Sequence, residues 1–230
     1  NSIRDLKWIR LLYAYPSCVS EVLIDAIGSL EKVCHYLDMP LQHISDPILR
    51  SMRRGMTRQS TYQLIHKLRN RIPDLAIRTT FIVGYPCEGE NEFQELLDFM
   101  QTSHFERLGL FTYSREEGSP AAALDCQVPA KVKEDRFHRG MLLQQEVSKE
   151  NNRRLVGRVL SVLIEGKEEG EPHVYRGRSY MDAPEVDGLV YVTVRNETHL
   201  SEGDFVTARI TSAKEYDLAA VCLDSEKRAG

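Results

Sequence analysis

Gln42, His43 and Ser45 stand close together in a short polar segment that ends at Asp46. Their amide, imidazole and hydroxyl groups donate and accept hydrogen bonds, so they could hold a polar ligand. Ser45 and Asp46 could instead cap the helix that follows, which is a common role for both residue types. For Gln42 and His43, a ligand site and a structural hydrogen-bond network are equally good interpretations.

A second candidate set lies along the apolar segment from Leu75 to Val83 and in the turn after it. Strand alternation predicts that Arg78, Thr80 and Ile82 share one face. A buried arginine needs a partner, so Arg78 should face a polar interior or a ligand carboxylate, or form an ion pair with a helix carboxylate. Gly84 would let a ligand approach the backbone closely, or it is an ordinary turn glycine.

Aromatic side chains end the next strand-like segment, at Phe111 and Tyr113. They could stack on a planar ring such as adenine, or they could pack into the hydrophobic core. The spacing of the residues leaves both interpretations open.

The cysteines are odd in number and widely spaced, which predicts free thiols in a reducing compartment rather than a disulfide framework. No Cys-x-x-Cys or Cys-x-x-x-Cys pair is present, and the histidines lack metal-ligand spacing, so no metal ligand is assigned. The five cysteines are Cys18, Cys34, Cys87, Cys126 and Cys222.

Strand-like and helix-like segments alternate over the first two-thirds of the chain. The predicted strands are 8–13, 33–37, 75–83 and 107–113. The predicted helices are 18–30, 48–54, 60–71, 90–102 and roughly 131–155. Four strand–helix units with short connections predict a parallel sheet with right-handed crossovers, and they are too few to close an eight-stranded barrel. We therefore predict an open or incomplete α/β barrel.

The pattern changes at Gly157, after which the predicted elements are short strands. They are 158–165, 173–180, 189–194, 205–212 and 218–223. Five short strands separated by turns indicate a small antiparallel β-barrel of the OB kind. The predicted domains are therefore residues 1–156, of the α/β class, and residues 157–230.

The composition fits a globular chain of one large or two modest domains. The 230 residues are 42% hydrophobic and 28% charged, with a formal net charge of −4. No apolar stretch is long enough for a transmembrane helix, and no secretory signal is recognisable. We expect a cytoplasmic protein with no membrane partner.

Three motifs together resemble the radical-SAM methylthiotransferases. The first is Pro40-Leu41-Gln42-His43-x-Ser45-Asp46-x-Ile48-Leu49-x-x-Met52-x-Arg54. The second is Arg78-Thr79-x-Phe81-Ile82-Val83-Gly84-Tyr85-Pro86. The third is Phe111-x-Tyr113-Ser114-x-Glu116-Glu117-Gly118-Ser119. With the later Ala183-Pro184-Glu185-Val186-Asp187-Gly188, they resemble the RimO branch, which modifies an aspartate of small-subunit ribosomal protein twelve.

The resemblance implies a partial radical-SAM barrel, with about four of its six units, followed by a TRAM β-barrel. It also implies S-adenosylmethionine as cofactor, [4Fe–4S] clusters in the full-length protein, and transfer of a methylthio group to the β-carbon of the aspartate. No catalytic residue is assigned. The residues then predicted to bind S-adenosylmethionine are Gln42, His43, Ser45, Arg78, Thr80, Gly84 and Tyr113.

The sequence departs from the family pattern in two ways. The Cys-x-x-x-Cys-x-x-Cys loop that binds the radical cluster is absent, so we expect cluster ligands upstream of Asn1 and no activity from this chain alone. Cys87 and Gly89 stand where the family usually has glycine and threonine, although Glu88 matches. Cys87 is not interpreted as a cluster ligand.

Two alternatives remain open at this point. A MiaB-like enzyme would methylthiolate an adenosine in transfer RNA, and a catalytically inactive fragment would act only as a binding module. Residues 157–230 hold 9 Lys and Arg against 14 Asp and Glu, and RNA binding favours basic surfaces. We therefore expect the TRAM domain to contact the basic ribosomal protein, with transfer RNA the less favoured partner.

Overall fold

The computed structural model describes residues 2–195 and 199–223. The chain divides into two units, Asn1–Val147 and Ser148–Gly230, and each is described by itself below. The strands of the first unit are β1 (Ile9–Leu11), β2 (Val33–Asp38), β3 (Ala76–Val83) and β4 (Arg107–Thr112). Its helices are α1 (Glu21–Ser29), α2 (Asp46–Ser51), α3 (Arg58–Arg71), α4 (Glu90–Ser103) and the first part of α5 (Ala130–Arg153).

The four strands form one parallel sheet in the order β1-β2-β3-β4. Every strand therefore ends at the same edge, and the segments that follow the strands lie together there. The predicted parallel α/β sheet of four units is confirmed. Two short 3-10 helices, Pro16–Cys18 and Pro120–Ala123, were not predicted, and the first overlaps the start of the helix predicted for 18–30, which as α1 begins at Glu21.

Local sequence signals account for several helix starts. The Ser20 hydroxyl accepts a hydrogen bond from the Leu23 N–H at 3.2 Å, at the start of α1. Thr57 and Ser60 form a reciprocal capping box at the start of α3. Pro47 lies in the first turn of α2, where its missing N–H costs nothing.

The hydrophobic core lies between one face of the sheet and the helices. Thr79, Phe81 and Val83 of β3 are buried on this face, and Arg78, Thr80 and Ile82 are half-buried on the other. The predicted alternation along this strand is confirmed. It leaves one face of β3 partly open at the end where the candidate site lies.

The second unit is a closed barrel of five strands. They are β5 (Val159–Lys167), β6 (Val174–Arg178), β7 (Val190–Thr193), β8 (Phe205–Ala213) and β9 (Leu218–Cys222), in the order β5-β6-β7-β9-β8. The expectation that all pairs are antiparallel is wrong for one of them, because β7 and β9 run parallel. Strand β8 is antiparallel to both β5 and β9, so β5 and β9 point the same way. Strand β6 is likewise antiparallel to β5 and β7, so β7 and β9 also point the same way where the barrel closes.

Two features of the barrel bear on its surface charge. Lys149 Nζ donates to Glu215 Oε1 at 2.7 Å, and this hydrogen bond holds the pKa of the Glu215 carboxyl below its usual range. Asp182 is buried, and one of its oxygens accepts from the Ser179 hydroxyl at 2.7 Å. Asp182 therefore supports a turn in the interior and does not lie on the exposed surface of the barrel.

The predicted division at residues 156 and 157 remains a prediction. The boundary between the two units lies after Val147, inside α5 and six residues before its last residue, Arg153. Among the residues that the structure describes, no helix is long and apolar enough to cross a membrane.

Candidate functional site

His43 and Glu88 meet in the interior behind the carboxyl ends of β2 and β3. The His43 ring is fully buried, and its Nδ1 accepts a hydrogen bond from the Ser45 backbone N–H at 3.0 Å. Nε2 lies 3.4 Å from Glu88 Oε2, a close electrostatic contact, and has no hydrogen-bond partner among the described residues. His43 therefore joins the segment after β2 to the turn after β3.

Glu88 receives donors from its own turn and from α5. Both of its carboxylate oxygens accept from the Gly84 N–H, at 3.0 and 2.9 Å. Arg136 of α5 donates to Glu88 Oε1 at 2.9 Å and to the Glu88 carbonyl at 2.8 Å. These partners satisfy the buried carboxylate, so the group stabilises the edge of the sheet rather than offering a free acid or base.

Gly84 is required by packing against α5. Its φ is +71°, and an added Cβ would lie 2.3 Å from Lys133 Cγ. The Lys133 side chain thus fills the space that the sequence suggested for a ligand. Gly84 is a turn glycine with a close side-chain neighbour.

Tyr113 lies at the same edge, at the end of β4. Its ring packs edge-on against Tyr85 with centroids 5.3 Å apart, and Lys133 Nζ lies 4.8 Å from its centroid. Lys133 also donates to the Tyr113 carbonyl at 2.8 Å. The buried Tyr113 hydroxyl has no hydrogen-bond partner within the described residues. That hydroxyl can accept a hydrogen bond from a ligand or donate one to it.

Arg78 pairs with Asp38 across β2 and β3, with Nη1 3.0 Å from Oδ1. The partner is a strand carboxylate on the neighbouring strand, whereas the sequence suggested a helix carboxylate or a ligand. The parallel register places Asp38 directly opposite Arg78. Asp38 also accepts from the Tyr13 N–H at 3.1 Å, so the pair fixes the segment after β1 as well.

Gln42 continues the pairing of β2 beyond its last residue. Its N–H donates to the Thr80 carbonyl at 2.8 Å, and its carbonyl accepts from the Ile82 N–H at 2.9 Å. Its φ is +71°, a left-handed conformation that turns the chain toward α2. The half-buried Gln42 and Thr80 side chains therefore remain available at the open face of β3.

The structure divides the predicted site residues into two groups. Gln42, Arg78, Thr80 and Tyr113 are half-buried at the sheet edge or on the open face of β3. His43, Ser45 and Gly84 are buried and belong to the network around Glu88. Ser45 occupies the N-cap of α2 without a capping hydrogen bond from its side chain. Whether any of the seven contacts a cofactor remains a prediction.

Sequence reasoning assigned no role to four residues that shape this edge. Glu88 was noted only as a motif match, and neither the buried positions of Asp38 and Arg136 nor the half-buried position of Lys133 was predicted. Asp38 ends a strand, a position that could have marked it as a candidate. Lys133 and Arg136 lie on a long charged helix, where nothing in the sequence separates them from solvent-facing residues.

Cys87 and Cys126 form a disulfide bond, so the expectation of free thiols is wrong for these two residues. Their Cα atoms are 4.9 Å apart although 39 positions separate them in the chain. The loop after β4 folds back onto the turn after β3 and brings the two cysteines together, a contact that spacing in the sequence does not reveal. The other cysteines, Cys18, Cys34 and Cys222, carry thiol groups.

No group of three or more His, Cys, Asp or Glu side chains is placed to hold a metal ion in residues 2–195 and 199–223. The residues present therefore do not fit an iron–sulfur cluster. The site at this edge is a polar, partly open surface backed by a buried ionic network.

Two family models match this chain. The model described as the radical SAM superfamily matches residues 5–100, and the TRAM domain model matches residues 156–223. The chain combines a radical SAM segment with a TRAM domain. The radical SAM segment contains β1 to β3 and most of α4, and the TRAM domain contains the whole five-stranded barrel.

Curated relatives match both parts in one alignment. A ribosomal protein uS12 methylthiotransferase RimO of Heliobacterium modesticaldum is 50% identical over 97% of this chain and 47% of its own length. The protein of the same name from Syntrophotalea carbinolica is 48% identical over 96% of this chain and 48% of its own. The resemblance inferred from the motifs is confirmed. The chain spans about half the length of the curated relatives it matches.

A solved structure also aligns with part of this chain. It is coproporphyrinogen III oxidase of Escherichia coli, described as a radical SAM enzyme. The TM-score is 0.49 at 17% identity, over 60% of this chain and 32% of that one.

Proposed function

We propose that this chain is the carboxyl-terminal part of a radical S-adenosylmethionine methylthiotransferase. Its substrate would be an aspartate of ribosomal protein uS12, and its product the β-methylthio derivative. The observation that carries the proposal is the alignment with proteins named uS12 methylthiotransferase, at 46% to 50% identity over 94% to 98% of this chain. Such a protein would work in the cytoplasm, where ribosomes are made.

The open end of the sheet fits part of a binding site for S-adenosylmethionine. When bound, this cofactor supplies the radical and the methyl group in the family's chemistry. The partner-free Tyr113 hydroxyl could hydrogen-bond a polar group of the ligand, and Gln42 and Thr80 offer polar side chains beside it. Arg78 would add positive charge at this face, although Asp38 already balances it.

The three other predicted residues would act without touching the cofactor. His43 and Ser45 fix the segment after β2, and Gly84 lets α5 pack closely against the turn after β3. Together they hold the carboxyl edge rigid, which a polar ligand requires for oriented binding. The clusters would need ligands from outside the described residues, so no step is assigned to them.

We propose that the TRAM domain contacts the basic substrate protein through its acidic surface. Glu169, Glu171 and Glu185 are exposed on the barrel. Glu165 and Glu168 are paired with Arg178 and Arg176, so they contribute less charge. An acidic surface speeds association with a basic partner and repels the phosphates of RNA.

The test uses a chimera in which residues 1–230 replace the matching part of the Heliobacterium modesticaldum protein. After anaerobic assembly of the clusters, the chimera is incubated with S-adenosylmethionine, a reductant and uS12. We expect mass spectrometry to find a methylthio group on a uS12 aspartate. Modification of transfer RNA instead would support the MiaB-like alternative, and an inactive chimera with intact clusters would contradict the proposal.

A single substitution tests the cofactor site within the same chimera. Tyr113→Phe removes only the hydroxyl, and we expect the KM for S-adenosylmethionine to rise about fivefold to tenfold, as for one lost hydrogen bond. The matched control is Tyr216→Phe in the TRAM domain, which should leave the KM unchanged. Equal KM values for the two variants would show that the Tyr113 hydroxyl does not bind S-adenosylmethionine.

A further inference from the structure

The Cys87–Cys126 pair joins two segments at the carboxyl edge of the sheet. Cys87 lies in the turn after β3, and Cys126 lies in the loop between β4 and α5. The Cys87 N–H also donates to the Cys126 carbonyl at 2.8 Å. Both cysteines are exposed, so a reductant in solution can reach the bond.

The two ends of this link differ in how firmly they are held. Cys87 is next to Glu88, whose buried carboxylate fixes the turn. The loop of Cys126 is mostly exposed over residues 114–126 and is braced internally by Gln127, whose side chain donates to two of its carbonyls at 2.9 Å. The disulfide thus attaches a weakly packed loop to a firmly packed turn.

The backbone at Cys87 is left-handed, with a φ of +67°. Glycine adopts this conformation readily, and a residue with a Cβ pays a free-energy cost for it. The left-handed backbone at Cys87 therefore costs free energy, and the disulfide bond offsets this cost. When the bond is reduced, the cost remains without the offset.

We propose that Cys87 and Cys126 form a thiol–disulfide switch that holds or releases the loop 114–126 at the carboxyl edge of the sheet. Two thiol groups of a reductant donate two electrons and two protons, which breaks the protein S–S bond and leaves two protein thiols. The reductant becomes a disulfide. Oxidation by a disulfide such as oxidised glutathione reverses both exchange steps.

The switch would act on the surface that the loop forms. Arg115, Glu117 and Ser119 line an open groove of about 530 Å³ together with neighbouring residues of the same loop. Tyr113 immediately precedes the loop, so release would also loosen the end of β4. The proposal rests on this geometry and not on the proposed function.

Hydrogen–deuterium exchange on the 230-residue chain tests the switch. A digest of the oxidised chain should contain a linked Cys87–Cys126 peptide, and a thiol titration should rise from three to five on reduction. We expect reduction by dithiothreitol to speed exchange in residues 114–126 at least about tenfold, while α4 is unchanged. Oxidised glutathione should restore the slow exchange.

Matched variants distinguish reduction of this bond from other effects of the reductant. Cys126→Ser should exchange like the reduced chain and ignore dithiothreitol, whereas Cys18→Ser, which removes an exposed free thiol, should respond like the parent chain. Equal exchange in the oxidised and reduced chains would overturn the proposal. So would faster exchange in α4 to the same degree, because the bond would then stabilise the whole unit rather than the loop.

Discussion

At the scale of single residues, Glu88 is the group on which most neighbours depend. Its fully buried carboxylate accepts hydrogen bonds from Gly84 and Arg136 and lies 3.4 Å from the His43 ring. Glu88→Ala would leave the Arg136 charge buried without its main partner. We expect the free energy of unfolding to fall by about 3–5 kcal/mol, measured by urea denaturation.

The control for that prediction lies two positions along the chain. Glu90 pairs with Arg139 at 2.7 Å and lies only 3.9 Å from Arg136, but the Glu90 side chain is 61% exposed. Glu90→Ala should therefore lower the stability by less than about 1 kcal/mol. Similar losses for the two variants would show that the buried network contributes no more than a surface ion pair.

Comparing two glycine substitutions measures how tightly α5 packs against the turn after β3. Gly84 and Gly118 both have positive φ, +71° and +79°, but an added Cβ would meet Lys133 only at Gly84. Gly118→Ala should cost about 1–2 kcal/mol for the backbone alone. Gly84→Ala should cost more, because the Lys133 side chain must move as well. Equal shifts of Tm would mean that Lys133 moves freely.

At the scale of elements, capping decides how firmly α3 begins. The Thr57 hydroxyl accepts from the Ser60 N–H at 3.2 Å, and Ser60 accepts from the Thr57 N–H at 2.9 Å. Thr57→Ala should destabilise the chain by about 1 kcal/mol, while Thr57→Ser keeps the acceptor and should stay close to the parent. Thermal unfolding followed by circular dichroism makes the comparison.

At the scale of the whole molecule, the disulfide and the barrel belong to different units. Cys87 and Cys126 both lie in the first unit, and their bond closes a loop of 39 positions. Because the bond restrains mainly the loop 114–126, reduction should lower the stability of that unit by less than about 1 kcal/mol, well below the roughly 4 kcal/mol that closing such a loop contributes at most, and leave the barrel unchanged. Calorimetry should show one transition that shifts with dithiothreitol and one that does not. A shift of both would mean that the units unfold together.

The sequence by itself determined the elements and most of the sheet. Hydrophobic periodicity, β-branched segments and turn residues depend on neighbours along the chain, so four strand–helix units and five barrel strands could be predicted. The motifs also carried the family resemblance, because they record residue types in order. The face that holds Arg78 and Thr80 followed from strand alternation alone.

Only the tertiary structure decided what those side chains contact. The Asp38 partner of Arg78, the position of Arg136 beside Glu88 and the link from Cys87 to Cys126 each join residues far apart in sequence. The parallel pairing of β7 and β9 likewise depends on how the barrel closes. Long-range contacts are set by packing of the whole unit, whereas local patterns report only whether a residue favours a helix, a strand or a turn.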